Sequence, residues 1–95
     1  MGLGYALMEE YVPNQTKNFE GYLIPTSCDA PRVIPLIVEE AESSGPFGAK
    51  GLGELTIHPT AAAIANAVYN ALSVRFSRLP LTPDRIYGAL KKGKE

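Results

Sequence analysis

Pro59-Thr60-Ala61-Ala62-Ala63-Ile64-Ala65-Asn66-Ala67-Val68-Tyr69-Asn70-Ala71-Leu72 is the most regular stretch of the chain. Ile64, Val68 and Leu72 stand four apart, with Ala61 and Ala65 on the same side, which is the period of a helix. Pro59 suits the first turn, where its missing N–H costs nothing. Alanines let neighbouring backbone come close. Only Thr60, Asn66, Tyr69 and Asn70 carry polar side-chain groups, so most of the circumference is expected to be buried. A helix this apolar expects more protein around it than 95 residues readily supply.

Towards the C-terminus, Val74 to Leu79 has the character of a short strand. Thr82-Pro83-Asp84 then opens a second helix, with a hydroxyl at the cap, proline at the first position and an acid near the positive end. Ile86, Leu90 and Tyr87 are expected to face inward, and Lys91 to Glu95 to fray. Towards the N-terminus, Val33-Ile34-Pro35-Leu36-Ile37-Val38 is β-branched and apolar, which predicts a strand, with Pro35 at an edge or near its start. Phe19 to Ile24 predicts another, between a turn-rich loop at 13–18 and a loop at 26–31. Leu3, Leu7 and Tyr11 have helical spacing, but no capping residue or leader precedes them; they read as the last turns of a helix that begins upstream. The expected class is α+β: short strands, a glycine-rich loop and two to three helices in one unit spanning 1–95.

Composition excludes several functions. Net charge is −1, which argues against binding nucleic acid by electrostatics alone. Residues 1–74 hold three basic and eight acidic side chains, whereas 75–95 hold six basic and two acidic. The basic end reads as a solvated last helix, its cations suited to the helix C-terminus, with an acidic partner surface as the alternative. Cys28 is the sole cysteine, so no internal disulfide or thiolate zinc cluster can form. No apolar run approaches the ~20 residues that span a bilayer. A soluble, cytoplasmic protein is expected.

The least ordinary segment is Gly45-Pro46-Phe47-Gly48-Ala49-Lys50-Gly51-Leu52-Gly53-Glu54. A phosphate-binding P-loop would need Ser or Thr after Gly-Lys, but Gly51 follows Lys50. A dinucleotide fingerprint would need a third glycine where Thr56 stands. The plain alternative is a strand-to-helix connection whose glycines serve tight turns. Glycines also let a bulky ligand touch backbone, and amides entering a helix favour anions. Glu54, at the end of the loop, is then either a helix-entry anion or a general base.

This loop closely resembles the active-site loop of the molybdenum hydroxylases, the xanthine dehydrogenase and aldehyde oxidase family. The likeness extends, in order, to Gly2–Glu10, to Tyr22–Thr26 with Asp29 and Pro31, to Ala62–Val68 and to Leu79–Pro83. The resemblance implies that the chain is the C-terminal portion of a molybdopterin-binding subunit, incomplete without upstream segments. It implies a molybdenum pyranopterin cofactor, with Glu54 taking a proton from a hydroxo ligand so that oxygen can reach an electron-poor carbon of a small-molecule substrate. Electrons would leave through iron–sulfur clusters to FAD on partner subunits or domains. Gly48, Ala49, Gly51 and Gly53 would approach the cofactor by backbone. Lys50 would pair with an anionic ligand group or form a structural salt bridge. His58, Tyr69 and Tyr5 are assigned structural work, His58 a hydrogen bond at the helix entry. Many members have proline after the glutamate, where this chain has Leu55. The competing reading is a non-catalytic structural or assembly module. On either reading the isolated chain is expected to self-associate.

Overall fold

The computed structural model describes residues 1–92 of the 95. It contains three α-helices among them: α1 (Gly2–Leu7), α2 (His58–Leu72) and α3 (Pro83–Lys92). Three single 3₁₀ turns lie between α1 and α2, at Ser27–Asp29, Pro46–Gly48 and Glu54–Thr56.

The expected α+β class is wrong: no strand exists among the described residues. Phe19–Ile24, Val33–Val38 and Val74–Leu79 are irregular instead. β-branched residues make a strand only where a neighbouring backbone completes the ladder. No backbone amide between 33 and 38 finds an acceptor among the described residues, and Leu36, Ile37 and Val38 are 88%, 89% and 87% exposed. The local preference is present without a partner.

What core there is forms where α1 meets the start of α2 and the segment before α3. Ala6 and Leu81 are the buried apolar side chains, with Gly2, Gly4 and Pro80 beside them. Gly2 must be glycine, because a Cβ there would lie 2.6 Å from the Cβ of Thr60. The Leu81 N–H donates to the Ala6 carbonyl at 2.6 Å, tying the third segment to α1. Just beyond α1, Glu10 accepts from the Arg85 guanidinium and lies 3.6 Å from Arg78. Arg85 also donates to the Pro80 carbonyl at 2.8 Å, so one side chain holds both sides of the junction. The Tyr22 hydroxyl donates to Glu9 at 2.8 Å, and that carboxylate pushes the phenol pKa up.

Helix α2 begins one residue before the expected Pro59 and ends at Leu72 as predicted. Ser73 terminates it in the left-handed region (φ 57), its N–H donating to Tyr69 at 2.7 Å. Thr60, Ala61, Ile64, Ala65, Val68, Tyr69 and Leu72 form a partly buried stripe. Ala62, Ala63, Asn66, Ala67, Asn70 and Ala71 are exposed, so the expectation that most of the circumference is buried does not hold within this chain. Tyr5, expected in the core, is 60% exposed, whereas Tyr69 carries the Arg75 guanidinium 3.9 Å over its ring. In α3, Ile86 and Leu90 are partly buried as expected; Tyr87 is 62% exposed and lies under Lys91. Lys91 and Lys92 are helical, and the rest of the predicted fray, 93–95, lies outside the described residues.

Candidate functional site

The glycine-rich segment has two parts, and its glycines have two kinds of reason. The first part is a tight turn closed by Glu42. The Glu42 N–H donates to the Gly48 carbonyl at 3.2 Å, and the Glu42 carbonyl accepts from the Gly45 N–H at 3.2 Å. The Glu42 carboxylate accepts from the Ser44 N–H at 3.1 Å and the Ser44 hydroxyl at 3.0 Å. These donors favour the ionised form and hold the Glu42 pKa below its ordinary value. Gly48 has φ +78, and a Cβ on it would lie 3.0 Å from that of Ala41; a Cβ on Gly45 would run into the Ala49 carbonyl. Both are glycines because of the turn itself.

At the tip, Phe47 adopts φ 54 and ψ 25, a left-handed conformation rare for a large side chain, and it is fully exposed at 110%. Sequence reasoning passed over Phe47 and Glu42. The Gly45-Pro46-Phe47-Gly48 spacing is a turn signature that could have pointed to the first. Nothing in the sequence marks Glu42 as the residue that closes it.

The second part runs from Ala49 to Thr56, and every residue in it is exposed. Lys50 pairs with Glu40 at 3.6 Å across the base of the loop, matching the salt-bridge alternative. Cβ atoms on Gly51 and Gly53 would meet nothing within 4 Å, so neither glycine has a local steric cause. Glu54 opens a 3₁₀ turn, its carbonyl accepting from Ile57 at 3.0 Å. Its carboxylate makes no hydrogen bond or ion pair among the described residues, and α2 has no side-chain cap. Glu54 is the acid of the turn that leads into α2 but makes no capping hydrogen bond to it, and His58, the first residue of α2, makes no entry hydrogen bond either. Gly48 and Ala49 belong to the closed turn, Lys50 pairs with Glu40, and Gly51, Gly53 and Glu54 lie on one exposed segment.

Two concavities, of ≈ 330 and ≈ 270 Å³, lie elsewhere. The larger is lined by Met8, Glu10, Val12, Gln15, Thr16, Gly21 and Leu23, and the smaller by residues from Tyr11 to Tyr22. Among the described residues no three His, Cys, Asp or Glu side chains group as metal ligands, and no helix is long and apolar enough to cross a membrane.

No family model matches the chain. Individual proteins do. It is 42% identical, over 90% of its length, to the 6-hydroxypseudooxynicotine dehydrogenase complex subunit gamma of Paenarthrobacter nicotinovorans. It is 42% identical over 92% of its length to a putative xanthine dehydrogenase molybdenum-binding subunit of Escherichia coli, and 37% identical over 95% to an aldehyde oxidoreductase molybdenum-binding subunit of the same organism. The chain spans 12% of the first two relatives and 13% of the third. Along nearly all of its length, then, the chain belongs to the family of molybdenum-binding subunits of xanthine dehydrogenases and aldehyde oxidoreductases, of which it matches one segment.

Proposed function

We propose that this chain supplies the general base, Glu54, and a close-approach glycine segment to the centre of a molybdenum-dependent hydroxylase. The observation that carries the reading is a carboxylate without a hydrogen-bond or ion-pair partner among the described residues, beside two glycines without any local steric cause, in a chain of this family. Residues held for structural reasons have partners, as Gly45, Gly48 and Lys50 do; Gly51, Gly53 and Glu54 have none among the described residues.

The open segment also fits a molybdenum pyranopterin. Such a bulky anionic group needs backbone it can lie against, and Gly51 and Gly53 leave that space open. When bound, the group supplies the two-electron redox change of a hydroxylation. The chain's own contribution is narrower. Gly51 and Gly53 admit the group, Lys50 pairs with Glu40 at the base of the segment, and Glu54 accepts a proton at its carboxylate as the chemical step proceeds. The substrate, an electron acceptor chain of iron–sulfur clusters and FAD, and the rest of the molybdenum-binding subunit are the partners this reading requires.

The test is Glu54→Gln in an assembled subunit carrying this segment. Glutamine keeps size and one acceptor oxygen but cannot take the proton. Substrate-driven reduction is expected to slow by ~10²–10⁴-fold, with molybdenum content and assembly unchanged. Glu54→Asp should keep part of the rate, because the base survives with shorter reach. Near-normal reduction in fully loaded Glu54→Gln would overturn the assignment.

A further inference from the structure

Phe47 holds a left-handed backbone conformation and its side chain is fully exposed, so within the chain that conformation returns nothing. A large side chain in the left-handed region is disfavoured, and such conformations persist only where the surroundings over-determine them. Here they do. The turn is closed by Gly45 N–H to Glu42, Gly48 N–H to Gly45 (3.1 Å), Ala49 N–H to Pro46 (3.0 Å) and Glu42 N–H to Gly48. Its root is further tied by the Glu42 carboxylate to Ser44. All of this fixes the backbone from which an aromatic ring extends with solvent on every side. Glycine would fit the same backbone without strain. A turn that needed only to turn would not carry phenylalanine at that position.

Aromatic side chains are typical anchors of buried interfaces, and one carried on a fixed backbone loses little beyond two side-chain torsions on docking. We infer that Phe47 is such an anchor, inserting into an apolar socket on the part of a molybdenum-binding subunit that these 95 residues do not match. This inference rests on the chain acting as one segment of such a subunit. Two observations select that occupant. The relatives are about eight times longer than the matched segment, so the family supplies a body large enough to hold the socket. Phe47 also shares its stretch with exposed apolar neighbours, Val33, Ile34, Leu36, Ile37 and Val38 before it and Leu52 and Leu55 after it, so a body docking there would cover more than one ring. Docking at Phe47 seats the already closed turn at 42–49 on that body, and with it the start of the segment that presents Glu54.

Phe47→Gly separates this role from a local one, because the two forecast opposite signs. In the isolated chain Phe47→Gly removes backbone strain, so the Glu42-closed turn should persist, seen as an unchanged Ser44 amide resonance. In cells producing the chain alongside the remainder of the subunit, co-purification should fall at least tenfold, while Phe47→Tyr retains it. Normal co-purification of Phe47→Gly would overturn the inference. A second measurement applies even where separate pieces do not assemble. In a continuous subunit with Cys28→Ser, a Phe47→Cys thiol should react with a maleimide at least a hundredfold more slowly than in the isolated chain. Equal reactivity would overturn the anchor. A dimer of the isolated chain that Phe47→Gly dissolves would assign the socket to a second copy instead, and so overturn the stated occupant. Glu54→Gln gives an independent arm: if it keeps activity while Phe47→Gly loses the partner, the base assignment falls and the anchor stands.

Discussion

Individual residues divide by whether this chain accounts for them. Gly48 is accounted for by φ +78 and by Ala41 at 3.0 Å; Gly51 is not accounted for at all. Alanine at the two positions should therefore have opposite consequences. Gly48→Ala forces a Cβ into the left-handed region against Ala41 and should cost about 1–2 kcal/mol, seen as loss of hydrogen-exchange protection at the Glu42 amide. Gly51→Ala should leave the isolated chain unchanged but lower the molybdenum content of an assembled subunit, measured by metal analysis. Full metal content in Gly51→Ala would leave that glycine without a role in admitting the cofactor. Glu54, the one carboxylate of the loop, is proposed as the base from its residue type and place in the motif, and the Glu54→Gln test decides that role. Phe47 was not legible in the sequence, because its importance lies in a backbone angle that no residue type announces.

At the scale of elements, helices proved more legible than extended segments, for a physical reason. A helix satisfies its own backbone, so the period of residues 59–72 and the Thr82-Pro83-Asp84 start were sufficient to place α2 and α3. A strand depends on a neighbour, so Val33–Val38 kept its strand-like composition and gained no ladder. The burial of α2 was overestimated for the same kind of reason: composition states what a face could cover, not what this chain brings to it. Turns hold themselves through side chains, and that makes them pH-sensitive. Glu42 and Asp29 are both held below their ordinary values, by donors from Ser44 and from Thr26 respectively. A carboxylate depressed in the folded state adds stability that is fully present above its unfolded pKa and is lost as pH falls through the lower, folded one. The Ser44 and Thr26 amide resonances should thus stay constant at neutral pH and move only below the ordinary values of 4.5 and 3.8. Glu42→Gln should abolish the Ser44 transition and spare that of Thr26. A Ser44 midpoint at or above 4.5 would show that Glu42 does not hold the turn.

The whole molecule exposes far more surface than its mass requires. A compact protein of 10.2 kDa would have an accessible surface of about 5,300 Å² and a radius of gyration near 12 Å; this chain has 8275 Å² and 17.5 Å. The excess matches the area that large, lasting interfaces cover. Much of it is apolar: Val33, Ile34, Leu36, Ile37 and Val38 form one run, and Phe47, Leu52 and Leu55 follow. The exposed alanine face of α2 adds a surface that another helix could approach closely. Apolar patches of this size are rarely left open to water. The isolated chain should accordingly self-associate, with the weight-average mass in sedimentation rising steadily with concentration. The run at 33–38 has little in the chain to cover it, so it should drive most of the effect. Ile34→Lys with Ile37→Lys should lower the association sharply while leaving helix content unchanged by circular dichroism, since neither side chain contacts α1, α2 or α3 through a buried position. Phe47→Gly should alter it little, because one anchor is a small part of the exposed apolar surface. A clean monomer over a wide concentration range would mean that this open form covers its apolar surface within the chain, and that the expanded shape is not the one it keeps in water.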